Sequence, residues 1–362
     1  MNCCSECFSN SYLKNIINSN SAKGDCNYCD SKNVPIYNPV ELSLFFQPIL
    51  DLFSVNEEIG NLIEVELENH FQDKIFSERL LNRTKPLLEA LIADEFESYK
   101  ILFESKVILT CLHDNNNHEK IKPLQISWEN FAEEIKSTNR FHIKNALDLT
   151  KLKDLLGDRY DKEIIKGKFF YRARISNQQG FTINEMYNPP AEKAKAGRAN
   201  PTGISYLYIA DQLKTTLYEA RASLYDFVTI GEFRLKENIK VINLRGNTYD
   251  PILLAERDLL EDFLIHLPFI KKLEKELSRP RRRSDNELDY LPTQYLCEFI
   301  KSMGFDGVEF QSSLYSDGYN LAIFNTDKFE CTSVKVCDIE DIVDILMKVY
   351  HSFLSKCTTP AR

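Results

Sequence analysis

Between Phe169 and Arg221 the chain orders apolar runs and polar turns in a way that few architectures accommodate. FFYRARI at 169–175 reads as a strand from its aromatic and β-branched content. Arg172 and Arg174 fall two residues apart and so share one face of that strand. GRANPTG follows at 197–203. Its Gly197 and Gly203 permit close backbone approach, and Asn200 before Pro201 fixes a turn. YLYIA at 206–210 is a second strand and TTLYEARASL at 215–224 a helix. FVTIGEFRL and KVINLR add two strands, and a charged helical stretch runs around 254–288. The amphipathic helix TQYLCEFIKSMG then ends at Gly304, before the strands GVEF and NLAIF. The order strand, loop, strand, helix, two strands, helix, two strands predicts an α+β domain around a central, partly antiparallel sheet.

The amino-terminal part has a different texture. Residues 1–35 are polar and cysteine-rich, with Cys4 and Cys7 in one CxxC and Cys26 and Cys29 in a second. Four thiolates so paired can close a tetrahedral site on Zn²⁺, with Gly24 supplying the tight turn and Cys3 as the spare. Four sulfurs leave no open position, so the metal would be structural, and a unit this short needs it to fold. Residues 36–160 read as mostly helical, with apolar stripes at Leu44, Phe45, Ile49, Leu52 and Phe53, at Leu87, Leu88, Ile92 and Phe96, and at Trp128, Phe131 and Ile135. The Asn-rich turn between His113 and His118 looks like a metal pair only superficially. The expected division is therefore a zinc module at 1–35, a helical domain at 36–160, an α+β domain at 161–345, and a helix end and tail at 346–362. The helix IEDIVDILMKVYHSFL before that tail reads as a packing or partner-binding element.

A net charge of −9 argues against a general nucleic-acid binder, which needs a broad positive field. RPRRR at 279–283 reads first as a solvated loop, with a partner or nucleic-acid contact as the alternative. No run is long and apolar enough for a membrane span, and MNCCSECFSNSY is not a secretory signal. A cytoplasmic setting is expected, where the ten cysteines serve as metal ligands or apolar filling rather than as disulfides.

The motifs FYRAR, GRANPTG, SYLYIADQLKTTLYEAR and GFDGVEFQSSLYSDGYNLAIF, over roughly 165–330, together resemble the RES domain, a family named for its Arg, Glu and Ser. The resemblance implies an ADP-ribosyltransferase-like enzyme that consumes NAD. It aligns Arg172 with the family's Arg, Tyr208 with its aromatic near nicotinamide or ribose, and Glu219 with its Glu. Tyr206 is the same-face alternative to Tyr208. Ser312 aligns with the family's Ser, and Ser313 is the close alternative, because Gln311 stands where many members carry proline. Arg174, Arg198, Asn200, Gly203, Ser313 and Asn320 are the expected substrate contacts.

Chemistry gives these residues their roles. Cleaving the nicotinamide–ribose bond creates an electron-poor C1′, which a carboxylate such as Glu219 can stabilise. A guanidinium such as Arg172 offers a rigid fork to phosphate oxygens. No histidine is placed to activate the serine as a nucleophile. The resemblance implies a toxin that depletes NAD by phosphorolysis or hydrolysis, neutralised by a protein antitoxin or another regulator. A homo-oligomer is compatible with it. The alternatives are a protein ADP-ribosyltransferase and a non-enzymatic interaction protein with a degenerate RES half. The helical region matches in position the HEPN-like domains found ahead of RES domains. It lacks their RxxxxH nuclease motif, since Arg140 and His142 are too close and Arg83 has no His five residues later.

Overall fold

Alternating burial along short β-branched and aromatic runs builds one mixed sheet of eight strands between residues 161 and 338. The computed structural model describes residues 1–71, 75–113, 127–245, 250–254, 257–280 and 286–339. In chain order the strands are β1 (Asp161–Ile164), β2 (Phe169–Ser176), β3 (Leu207–Ala210), β4 (Phe227–Leu235), β5 (Ile239–Asn243), β6 (Gly307–Gln311), β7 (Tyr319–Ile323) and β8 (Phe329–Asp338). Their order across the sheet is β8-β4-β2-β3-β7-β6-β5-β1. Every pairing is antiparallel except β5 with β6, which runs parallel from Val241↔Gly307 to Asn243↔Glu309. Helix α1 (Leu213–Ala220) follows β3, and α2 (Leu291–Ser302) precedes β6. The six strands read from the sequence are present. The two edge strands β1 and β8 are additional, and both present polar or half-buried faces that carry a weak apolar signal. The described helices include none long and apolar enough to cross a membrane.

The chain divides into two compact units, 1–125 with 247–269, and 126–246 with 270–362. This differs from the expected three-way division, for a packing reason at each end. The cysteine-rich segment has no core of its own. Cys3, Cys4, Cys7, Phe8 and Leu13 are buried in one cluster with Leu42, Phe46, Leu87 and Leu88 of the helical segment. Conversely, the helix over 127–137 belongs to the sheet unit. There the Trp128 indole Nε1 donates to Glu276 at 3.1 Å, and the Phe131 ring lies 4.8 Å from that of Tyr295. Within the first unit the stripes pack as their spacing predicts, except that Leu44 is exposed while Phe46 takes the core position. Phe53 begins a short strand, Phe53–Val55, paired with Val107–Leu109. The helix expected over 339–354 and the turn between His113 and His118 lie almost wholly outside the described residues.

Behind the sheet, Glu309 on β6 is fully buried. It accepts from Lys162 Nζ at 2.8 and 2.7 Å and from Arg245 at 3.3 Å. Lys168 Nζ donates to the Tyr319 hydroxyl at 2.7 Å, and burial followed by Lys162 lowers its pKa. A buried carboxylate is tolerable only with such partners. Removing its charge by Glu309→Gln leaves the half-buried Lys162 without a counter-ion and should cost the sheet unit about 3 kcal/mol. Urea unfolding followed by tryptophan fluorescence checks this, because Trp128 is the chain's one tryptophan and lies in that unit.

Candidate functional site

The sheet parts between β2 and β3. The two strands share one register pair, Tyr171↔Ala210, whereas β2 pairs with β4 from Phe169 to Ser176 and β3 pairs with β7 from Leu207 to Ala210. The Ala173 N–H instead donates to Thr216 Oγ1 of α1 at 2.8 Å, so a helix side chain takes the role of a strand partner. A cleft of about 480 Å³ opens along this parting. Arg172 and Arg174 of β2, Tyr208 of β3, Glu219 and Arg221 at the end of α1, and Asn320 of β7 line it.

Both β2 arginines are tied to backbone carbonyls of one short turn. Arg172 donates to the Met186 carbonyl at 3.1 Å, and Arg174 donates to that of Glu185 while lying 3.9 Å over the Phe181 ring. Neither is spent on a carboxylate among the described residues. Burial, then the neighbouring Arg174, pushes the Arg172 guanidinium down to about 10, which leaves it charged at neutral pH.

Glu219 is the hub of the polar contacts. Its Oε1 accepts from Ser312 Oγ at 2.6 Å and from Asn320 Nδ2 at 2.8 Å, while its Oε2 has no hydrogen-bond partner among the described residues. The direction of the serine bond is fixed by its surroundings. Leu314 N and Tyr315 N both donate to Ser312 Oγ, so the hydroxyl proton turns to the carboxylate. Ser312 is buried behind Glu219, whereas Ser313 is exposed and lines the cleft. Gly318 lets α1 come this close, since a Cβ there would lie 1.9 Å from Thr215 Oγ1. Arg221 closes α1 in the left-handed region, φ 52° and ψ 38°, a position that favours glycine.

The GRANPTG loop is held from inside. Asn200 is buried, accepts from the Tyr208 hydroxyl at 2.7 Å, and donates to the carbonyls of Lys195, Pro201 and Ile204. Gln294 of α2 donates to the Gly197 and Asn200 carbonyls, and Thr293 donates to that of Arg198. Two expected substrate contacts thus stand elsewhere. Asn200 braces the loop and Gly203 turns it at φ +85°, and neither lines the cleft. Arg198 does line it, with its guanidinium 4.7 Å from the Tyr290 ring. Burial raises the Tyr208 phenol, whose hydroxyl is already bonded, so what it offers the cleft is a ring.

Several lining residues escaped the sequence reading. Arg221 sits inside the quoted helix motif and lines the cleft beside Glu219. Arg279 belongs to RPRRR, of which 281–283 lie outside the described residues. Ser278 and Tyr290 gave no sequence signal, because they reach the cleft from a segment far away in the chain.

In the other unit, the Sγ atoms of Cys4, Cys7, Cys26 and Cys29 all lie within 4.8 Å of one another, with Cys4–Cys29 and Cys7–Cys26 both at 3.3 Å. A tetrahedral zinc tetrathiolate has sulfur–sulfur edges of about 3.8 Å, so this spread fits one ion. Hydrogen bonds from Cys4 and Cys7 hold the Cys26 thiol far below its ordinary value. The left-handed turn residues here are Asp30 and Asn33, while Gly24 lies in a short strand against Ile36. Arg83 grips Asp30 with both terminal nitrogens, at 2.8 and 2.6 Å.

Residues 170–343 match the RES domain. That span contains Arg172, Tyr208, Glu219, Ser312 and Asn320, and it begins inside β2. No curated protein matches the chain. Among solved structures, the crystal structure of the M. tuberculosis MbcT–MbcA toxin–antitoxin complex is similar at 12% identity and a TM-score of 0.30, covering 52% of this chain and 91% of that one.

The loop geometry makes a sharp demand on Gly197. A Cβ there would lie 2.6 Å from Asn200 Oδ1 and 2.8 Å from the Tyr208 hydroxyl. Gly197→Ala should therefore cost about 1–3 kcal/mol by overpacking. Tyr208→Phe in the same chain should recover part of this, which denaturant titration of the pair against each single variant measures.

Proposed function

We propose that the cleft binds NAD and that the RES domain cleaves the bond between nicotinamide and ribose. The observation that carries this reading is the disposition of Glu219. Ser312 and Asn320 hold one carboxylate oxygen, and the other is left for the ribose hydroxyls and for the positive charge that develops at C1′. Nicotinamide departs as a neutral molecule, so the site needs no acid to protonate it. Arg172 and Arg174, fixed by backbone carbonyls, supply cationic forks for the pyrophosphate. Tyr208 supplies a ring face for a flat cationic ring. Ser312 acts through Glu219 and is a positioning residue.

In this reading NAD is the substrate, water or phosphate is the acceptor, and loss of cellular NAD makes the protein a toxin. A protein antitoxin that fills the cleft would silence it. The similarity of residues 170–343 to the RES domain supports an enzyme acting on NAD. Glu219→Gln keeps the shape and removes the charge, so turnover should fall about a hundred- to a thousandfold. Chromatography of NAD, nicotinamide and the sugar product, with and without phosphate, checks this and identifies the acceptor. Near-normal turnover in folded Glu219→Gln protein refutes the assignment.

The four clustered cysteines would hold one zinc ion as a closed tetrahedral centre, supplying cross-linking energy to the first unit. Cys26→Ser should abolish zinc binding, measured by elemental analysis, and lower the stability of that unit. NAD turnover should persist in protein that remains folded, because Cys26 and Glu219 belong to different units.

A further inference from the structure

The charge of the cleft exceeds what a pyrophosphate calls for. Five arginines line it, Arg172, Arg174, Arg198, Arg221 and Arg279, against the single carboxylate of Glu219. Arg172 and Arg174 are held by carbonyls, close to the Glu219 hub, and they account for a pyrophosphate with its two negative charges. Arg198 lies over the Tyr290 ring and donates to the Pro280 carbonyl, which leaves Arg221 and Arg279. Neither guanidinium makes a hydrogen bond or an ion pair with any described residue, and both residues line the cleft. Uncompensated cations around one cavity repel each other, and a ligand anion relieves that repulsion. Beside Arg279, the Ser278 Oγ is buried with no hydrogen-bond partner among the described residues, and it too lines the cleft. A buried hydroxyl left without a partner costs free energy until something bonds to it.

We propose that Arg221, Arg279 and Ser278 form a second anionic subsite, which takes a third phosphate on the dinucleotide, so that the preferred ligand class is the 2′-phosphorylated dinucleotide NADP. The proposal rests on the NAD-cleaving reading above and refines its substrate. A 2′-phosphate carries close to two negative charges at neutral pH and three acceptor oxygens. Two guanidinium forks and one hydroxyl match such a group in charge and in donor chemistry. The two arginines arrive from separate parts of the chain, one at the left-handed end of α1 and one just beyond the helix Arg257–Ser278. Convergence on one cavity is what a recognition site requires of them.

Binding of the reduced dinucleotides tests this without turnover, because dihydronicotinamide lacks the cationic ring that makes nicotinamide a leaving group. On the full chain, calorimetry or nucleotide fluorescence should find NADPH bound about ten- to a hundredfold more tightly than NADH, the span of charge-assisted bonds to one phosphate. Excess inorganic phosphate should erode that advantage. The NADPH-to-NADH affinity ratio should fall toward one in Arg221→Gln and Arg279→Gln proteins, with circular dichroism showing them folded. Equal affinity for the two nucleotides in the unaltered protein overturns the subsite and leaves the NAD reading standing. A preference that survives both substitutions overturns the residue assignment. Failure to bind either nucleotide, or NAD itself, overturns the underlying reading as well.

Discussion

A strand that leaves its neighbour after one residue has to satisfy its backbone elsewhere, and the site is built from the substitutes. Where β2 parts from β3, Thr216 takes the Ala173 amide, and this bond seats α1 in the gap. Seating α1 brings Glu219 to Ser312 and Asn320, which the β6–β7 hairpin delivers from the other flank. The parting exposes Arg172 and Arg174 on one side and Tyr208 on the other. Closing the sheet there would bury the arginines against backbone and leave no cavity. The gap thus costs hydrogen-bonded strand pairing and gains a ligand site, a common compromise at functional positions.

The period of two along the β6–β7 hairpin keeps two polar systems apart. Phe310 and Asn320 pair across the hairpin and face the cleft. Glu309 and Tyr319 flank them and point the other way, into the cluster with Lys162, Lys168 and Arg245. A one-residue slip would exchange these faces, placing Glu309 beside Glu219 and driving two carboxylates together. The Lys162–Glu309 bond therefore fixes the register that aims Asn320, in addition to whatever it contributes to stability.

The sequence carried the site wherever chemistry and local pattern coincided. FYRAR, LYEAR and the FQSS hairpin each join a strand or helix signal to a reactive side chain, and Arg172, Glu219, Ser312 and Asn320 do converge. The edge strands were harder to see because their outer faces are wet and alternate only weakly. Asn200 takes a place inside the loop. A polar residue in a glycine-rich loop invites a ligand reading, yet loops also need internal acceptors and donors, and its amide is fully used in that way. The two compact units cut across the segment-by-segment division because helical periodicity reports that a face is buried without saying against what. Trp128 and Phe131 bury their stripe beside the helices that carry Glu276 and Tyr295, and Leu87 lies beside the cysteines. Contacts such as Tyr290 and Ser278 exist only through tertiary convergence, which no local window contains.

The left-handed turn at Arg221 puts selection under opposing pressures. Holding any residue with a Cβ at φ 52° costs about 1–2 kcal/mol that glycine would not incur. A chain improved for heat resistance alone, by consensus or by design, would therefore drift to glycine at this helix end. Such a variant would gain in melting temperature while emptying one corner of the cleft of its charge. Position 221 is accordingly where an engineer seeking a sturdier protein and one seeking a more discriminating one would part company.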